Sequence, residues 1–350
     1  MDRTRRDFVR WFGVAAAAAF GARPAAAWAD RLRILGGPGA TGTDQPVAVP
    51  GQVSPDFQRF VGGVRLGEML RHGPLRVVWL HGAPGHPLAV ATLEEARGRG
   101  DLLITERDQA TVPELVVENR SKTHVLLLAG EILLGGKQNR VLTEDLLLPP
   151  LSGPRAIGVY CVEQGRWAGR TKEFDGRGSF AAPQLRSRVM EKAGQGSVWA
   201  EVDRYARKAA APSATSSYQA IYDKPEVKAH MDEVERGLDV RTAPGALGAA
   251  VFVGRSLGGL DLFFDPGLFA RQWPKLLRAQ AVEAYGRSDG GDGDDGAARG
   301  RVEEILRAAA KVAGTLRTNA GVGQLFEFRA SGQRGSALTF ETRVIHAAVV

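Results

Sequence analysis

The spacing of hydrophobic and polar positions changes several times along the chain, and each change marks an element. Residues 75–80 form a short apolar run, which predicts a buried strand. Thr92-Leu93-Glu94-Glu95-Ala96 predicts a short helix. Thr92 caps it, Glu95 stands three residues on as a capping box requires, and Gly98 and Gly100 stop it. Residues 102–106 predict a strand. Residues 112–119 and 123–129 predict two more, joined by Arg120-Ser121-Lys122 at hairpin spacing. Residues 141–148 and 157–162 continue the series. Short strands at this spacing predict a mostly antiparallel sheet or barrel rather than alternating βαβ units.

The pattern then turns helical. Residues 168–180 are polar and glycine-rich and read as a loop, whereas 183–193, 198–211 and 225–236 have helical composition. Val198, Val202 and Tyr205 share one helix face. A strand pair follows at 249–254 and 259–264. Asp265-Pro266 is a helix start, with an aspartate cap and a proline in the first turn. Phe269, Trp273, Leu276 and Leu277 form that helix's apolar stripe, and Pro274 is expected to bend it. Residues 287–300 read as an acidic Gly/Asp loop. A helix at 302–312 and strands at 324–329 and 337–344 close the chain. The fold class is α+β: a mostly antiparallel, sheet-rich N-terminal part, a helical middle and closing C-terminal strands. It occupies 57–350 as a single domain, preceded by a linker over 30–56 that is rich in Gly, Pro, Ala and Thr.

The first 29 residues change the picture of where the protein works. Thr4-Arg5-Arg6-Asp7-Phe8-Val9-Arg10 supplies paired arginines, an alanine-rich apolar stretch follows, and Ala27-Trp28-Ala29 reads as a small-x-small cleavage site. This predicts a twin-arginine signal peptide, the twin-arginine translocase as a partner during export, and a periplasmic or secreted destination. The apolar stretch is well short of the roughly 20 residues that a spanning helix needs, so no stable membrane span is expected in the mature form. The formal charge is +7, but the leader carries five arginines against two aspartates. What remains does not predict nucleic-acid binding, which calls for clustered Lys/Arg with stacking aromatics. Cys161 is the only cysteine, so no intramolecular disulfide is available.

Two segments carry candidate chemistry. In Gly130-Glu131-Ile132-Leu133-Leu134-Gly135-Gly136-Lys137-Gln138-Asn139-Arg140, two glycines precede four polar side chains. Glycines admit close backbone approach to a ligand, and Lys/Arg meet anions. The spacing fails the phosphate-loop test, because Gln138 stands where Ser/Thr would hold magnesium. The alternative is a glycine turn with solvated polar residues. In Tyr160-Cys161-Val162-Glu163-Gln164-Gly165-Arg166-Trp167, period two places Cys161 and Glu163 on one face. Cys161 is a possible nucleophile or an inert core residue. Glu131 and Glu163 are candidate general bases if their strands are neighbours. The six histidines show no metal-ligand spacing, so no metal is expected, and no cofactor motif is present, so the cofactor stays unknown. Gly290-Gly291-Asp292-Gly293-Asp294-Asp295 matches a single calcium β-roll core without the stacked repeats that architecture needs.

Together the two segments, with Gly258-Gly259-Leu260-Asp261-Leu262-Phe263 and Trp273-Pro274-Lys275-Leu276-Leu277, resemble an uncharacterised bacterial domain family. The family is named for association with ADP-ribosylglycohydrolase and rhodanese-phosphatase superfamily proteins. The resemblance covers roughly residues 55–350. It implies no reaction, only proximity to nucleotide or ADP-ribose metabolism by association, and it implies that the two polar segments form one site. Three functions are then expected. In the first, Lys137, Gln138, Asn139, Arg140, Gln164, Arg166 and Trp167 bind an anionic small molecule, nucleotide-like or sugar-phosphate-like. In the second, a hydrolase or transferase uses Glu131 or Glu163 as general base. In the third, a structural or protein-interaction module of the cell envelope is locked by its internal ion pairs.

Overall fold

The all-buried run of β3 explains the centre of the molecule. Leu75, Val77 and Trp79 enter one core and Val78 and Leu80 another, so the strand is covered on both faces. In the computed structural model, residues 48–107, 113–166, 169, 171–288 and 294–350 are described. The chain runs β1 (Val49–Gln52), α1 (Pro55–Gly62), β2 (Arg65–His72), β3 (Leu75–His81), β4 (Val90–Thr92), α2 (Leu93–Gly98), β5 (Leu102–Glu106), β6 (Glu114–Asn119), β7 (His124–Leu127), β8 (Glu131–Gly135), β9 (Arg140–Leu142), β10 (Leu146–Leu148), β11 (Gly153–Cys161) and β12 (Phe174–Phe180). The helical middle follows as α3 (Pro183–Met190), α4 (Gln195–Lys208), α5 (Gln219–Asp223) and α6 (Pro225–Gly237). It closes with β13 (Gly248–Val253), β14 (Ser256–Phe263), α7 (Pro266–Ala284), α8 (Asp295–Ala309), β15 (Gly314–Arg317), β16 (Gln324–Ala330), β17 (Gln333–Phe340) and β18 (Arg343–Val349).

A nine-stranded antiparallel sheet, in order β1-β15-β16-β17-β18-β14-β13-β3-β2, forms the frame. One face carries α7 through Leu268, Phe269, Trp273 and Leu277. The other is covered by α8 and α1 through Val302, Ile305, Phe57 and Val61. A second set of strands is ordered β12-β8-β9-β11-β6-β5. A bridge between Thr105 and Glu173, beside the Glu106 N–H bond to Lys172 O (3.0 Å), brings the last strand back to the first. This closed set encloses Ile104, Val117, Leu133, Ile157 and Phe174. A three-stranded sheet, β10-β7-β4, includes the parallel pair β4–β7.

Several local expectations give way to tertiary pairing. Strands β6 and β7 do not form a hairpin: β6 lies between β5 and β11, and β7 between β4 and β10. The buried Asn119 side chain redirects the chain. Its Nδ2 donates to Thr123 O (2.8 Å) and Pro149 O (2.8 Å), and its Oδ1 accepts from Ser121 N–H (3.0 Å). The run 141–148 divides into β9 and β10, because Asp145 turns inward to accept from Ala129 N–H (2.8 Å). The 168–180 loop contains β12, whose pairing with β8 outweighs the low strand preference of Gly176 and Gly178. The stretch read as linker to residue 56 holds β1, paired with β15, and the start of α1 at Pro55. The stretch read as acidic loop to residue 300 holds the first turns of α8, which Asp294 caps by accepting from Gly296 N–H (2.8 Å). Residues 1–29 and 289–293, and with them the leader and most of the β-roll-like motif, lie outside the described residues, as do 108–112.

Candidate functional site

The two sequence motifs do meet, but chiefly each other. β8 ends at Gly135 (φ 147°), and the chain turns through Gly136 (φ 50°). A Cβ at Gly135 would strike Glu173 O, and one at Gly136 would strike the Phe174 ring. These glycines therefore let two chain segments approach, not a ligand. Arg166 fills the turn. Its guanidinium donates to Gly136 O (2.6 Å), Gly135 O (3.2 Å), Asn139 Oδ1 (3.0 Å) and Glu163 Oε2 (2.9 and 3.1 Å). Glu163, buried, also accepts from Asn139 N–H (3.1 Å) and from the Thr215 hydroxyl (2.7 Å). Both carboxylate oxygens are thereby engaged, which leaves Glu163 poorly placed as a general base.

The remaining candidates follow the same logic. Gln138 is fully buried; its Oε1 accepts from Arg140 (3.1 Å) and its Nε2 donates to Gln164 O (3.1 Å). Arg140 also donates to Cys161 Sγ. Burial pushes the Cys161 thiol up to about 11, against the opposing pull of Arg140. A buried, protonated thiol is a packing residue, so the nucleophile reading does not fit this geometry. Lys137 is exposed and, among the described residues, joins the cluster only through its backbone N–H, which bonds Glu106 Oε1 (2.8 Å). Trp167 lies outside the described residues.

Glu131 belongs to a different cluster, sharing no hydrogen-bond partner with Glu163 among the described residues. It opens β8, accepts from Leu128 N–H (3.1 Å) and pairs with Lys275 of α7. Lys275 Nζ also reaches Glu94 of α2 (3.0 Å). Burial pushes the Glu131 carboxyl up to about 7; Lys275 opposes this and Glu94 adds to it. Burial pulls Lys275 down, but Glu131 and Glu94 outweigh it and hold its pKa above the ordinary lysine value. Lys275 and Glu94 then open onto a cavity of about 390 Å³, of the size that holds small metabolites. Glu131 stands behind the lysine.

The cavity walls are cationic residues from one face of α7. Arg271, Lys275 and Arg278 recur at i, i+4 and i+7, and Thr92, Glu94, Glu95, Gly178, Glu235 and Pro274 complete the lining. Arg271 Nε lies 3.1 Å from Glu95 Oε1, and its Nη2 donates to Val90 O (3.0 Å). Arg278 grips Glu235 through two bonds of 2.8 Å. Nη1 of each arginine makes no hydrogen bond among the described residues, so each cation keeps a donor for a ligand. This set is masked in the sequence by the apolar stripe of α7, which dominates the helix pattern. The signal was present in the spacing of Arg271, Lys275 and Arg278 between those apolar positions.

A third polar cluster is wholly internal. His346 of β18 bonds Asp145 through Nδ1 (2.7 Å) and Asp261 of β14 through Nε2 (3.0 Å). Arg186 of α3 sits against both oxygens of Asp261 (2.8 and 3.0 Å) and donates to Ala129 O (3.1 Å). Burial pushes Asp261 up, but Arg186 and His346 overcome it and hold the carboxyl at about 2. Burial pulls His346 down, and the two aspartates lift it to about 8. Two anions and two cations thus cancel in the core, pinning Ala129, at the head of the first motif, to the large sheet.

Among the described residues, no group of three or more His, Cys, Asp or Glu side chains is arranged to hold a metal ion, and no helix is long and apolar enough to cross a membrane. No curated protein and no solved structure matches the chain. The model of the ARG and Rhodanese-Phosphatase-superfamily-associated Protein domain (ARPP-1) matches residues 63–350, the greater part of the sequence. The chain therefore belongs to the ARG and Rhodanese-Phosphatase-superfamily-associated Protein domain family.

Proposed function

We propose that the protein binds a small hydroxylated anion, such as a sugar phosphate, in the cavity beside α7. The observation that carries this reading is the convergence of Arg271, Lys275 and Arg278 on one cavity of about 390 Å³. Spare guanidinium donors suit a phosphate or carboxylate, and the lining glutamates suit hydroxyl donors. Three cations against three carboxylates leave the lining near neutral, which disfavours a ligand that is anionic at every position. The anion-binding expectation is thus kept and moved away from the glycine turn, where the polar side chains of Gln138, Asn139, Arg140 and Arg166 bond within the protein.

A second reading makes the same cavity catalytic. A carboxyl near pKa 7, in contact with a lysine at the cavity floor, is suited to passing a proton at neutral pH. This narrows the hydrolase or transferase expectation to the pair, with Glu131 holding the Lys275 ammonium charged and in place at the cavity floor. Calorimetric titration with glucose 6-phosphate tests the binding reading. Arg278→Met is expected to weaken binding at least tenfold, because a charge-assisted hydrogen bond contributes about 1.5–3 kcal/mol. Lys137→Ala, outside the cavity, is expected to bind as the wild type does. Loss of binding in Lys137→Ala but not in Arg278→Met would return the site to the glycine turn.

The paired arginines at the N-terminus support a second proposal, export by the twin-arginine route. A fusion of the full chain to a reporter is expected to reach the periplasm, and Arg5→Lys/Arg6→Lys to hold it in the cytoplasm. Export of the double variant at the wild-type rate would refute the assignment.

A further inference from the structure

We infer that the ligand of the α7 cavity is elongated and carries a second anionic group, held in the neighbouring groove. This rests on the binding reading above and extends it. A second cavity, of about 920 Å³, adjoins the first, and Glu95 and Arg271 line both. Their ion pair (3.1 Å) is the partition between the two spaces. Arg271 is anchored to Val90 O from the groove side, so its unbonded Nη1 is available where the two spaces meet.

The groove's own cations are Arg99, Arg120 and Lys122. Arg99 pairs with Asp101 (2.9 Å) and Arg120 with Glu118 (2.9 Å), but these arginine side chains are 51% and 53% exposed. Pairs this exposed are weak and exchange readily for an incoming anion. Lys122 makes no ion pair or side-chain hydrogen bond among the described residues. It stands in the turn that Asn119 and Ser121 fix from beneath, so the cation sits on a rigid base. Asp101 and Asp265 line the same groove. They leave acceptors for hydroxyls between the two anionic ends, as the glutamates do in the inner cavity. The chemistry that fits both spaces is a polyhydroxylated molecule with two separated phosphates or carboxylates.

Fructose 1,6-bisphosphate and fructose 6-phosphate serve as probes, titrated calorimetrically into the full folded chain. The bisphosphate is expected to bind at least tenfold more tightly to the wild type. In Arg120→Ala/Lys122→Ala, two exposed positions whose loss leaves the core intact, that advantage is expected to vanish while monophosphate affinity holds. Equal affinity of the two probes for the wild type overturns the inference and leaves the inner-cavity reading standing. So does an advantage that survives in the double variant. Absence of binding by either probe overturns both.

Discussion

Replacing Asp261 with alanine is expected to lower the unfolding free energy by about 3–5 kcal/mol, the usual cost of breaking one partner out of a buried ion network. The variant leaves Arg186 buried without its carboxylate and His346 with one aspartate in place of two. Removing both charges, in Arg186→Met/Asp261→Leu, is expected to cost less than Asp261→Ala alone, because no uncompensated ion remains. Urea unfolding of the wild type, Asp261→Ala and the double variant measures this directly, and a double variant less stable than Asp261→Ala would refute the account. The network also predicts a pH dependence. His346 is raised to about 8 in the folded protein, so its contribution is complete below about pH 6.5 and is lost as pH rises through about 8. A shift of this size corresponds to about 2 kcal/mol. Asp261 is lowered to about 2, so its contribution is present above about pH 4 and is lost as pH falls through about 2. Glu131, raised to about 7, adds a decline between about pH 4.5 and pH 7, which overlaps only the start of the His346 window. His346→Gln should therefore flatten most, but not all, of the decline in stability between pH 6 and pH 9. An unchanged slope in that variant would assign the decline elsewhere.

The elements that sequence made legible are those whose signal is local. The Thr92–Glu95 capping box is present in both directions, at 2.8 and 3.2 Å. Asp265 caps α7 by accepting from Leu268 N–H (2.6 Å), and the predicted stripe of that helix is buried. Buried runs such as β3 were readable because both of their faces are covered. What local signal missed was set by distant partners. Asn119 looks like an ordinary strand end until Thr123 and Pro149 carbonyls are placed around it. Phe174–Phe180 looks like a loop until β8 supplies its ladder. The candidate chemistry divides in the same way. That residues 130–140 and 161–166 come together was implied by the family resemblance, but that they satisfy one another was not. Glu131 faces Lys275, 144 positions away along the chain, and the pattern of neither segment records the other.

That long-range pair carries the remaining large effect. Lys275→Met leaves Glu131, only 1% exposed, without its cation and is expected to cost about 3–5 kcal/mol near pH 8.5. The cost should shrink toward pH 5.5, because a protonated Glu131 needs no counter-charge and its pKa, already about 7 beside the lysine, rises further without it. The sign follows from linkage: a carboxyl whose folded pKa is raised loses its stabilising contribution as pH increases through that value. In Lys275→Met/Glu131→Leu, both charges are gone, and stability at pH 8.5 is expected to recover above that of the single variant. Glu94, on the cavity side, is solvated enough to stand alone, with its side chain 35% exposed. Urea unfolding at the two pH values decides the matter, and a cost independent of pH would show that the pair does not act as a buried ion pair. The double variant also separates folding from function. It keeps a folded scaffold with Arg271 and Arg278 in place, yet lacks the ammonium at the cavity floor. If the cavity binds anions as proposed, glucose 6-phosphate affinity falls at least tenfold in a protein that is still folded. Retained affinity there would mean that Lys275 and Glu131 serve the core alone.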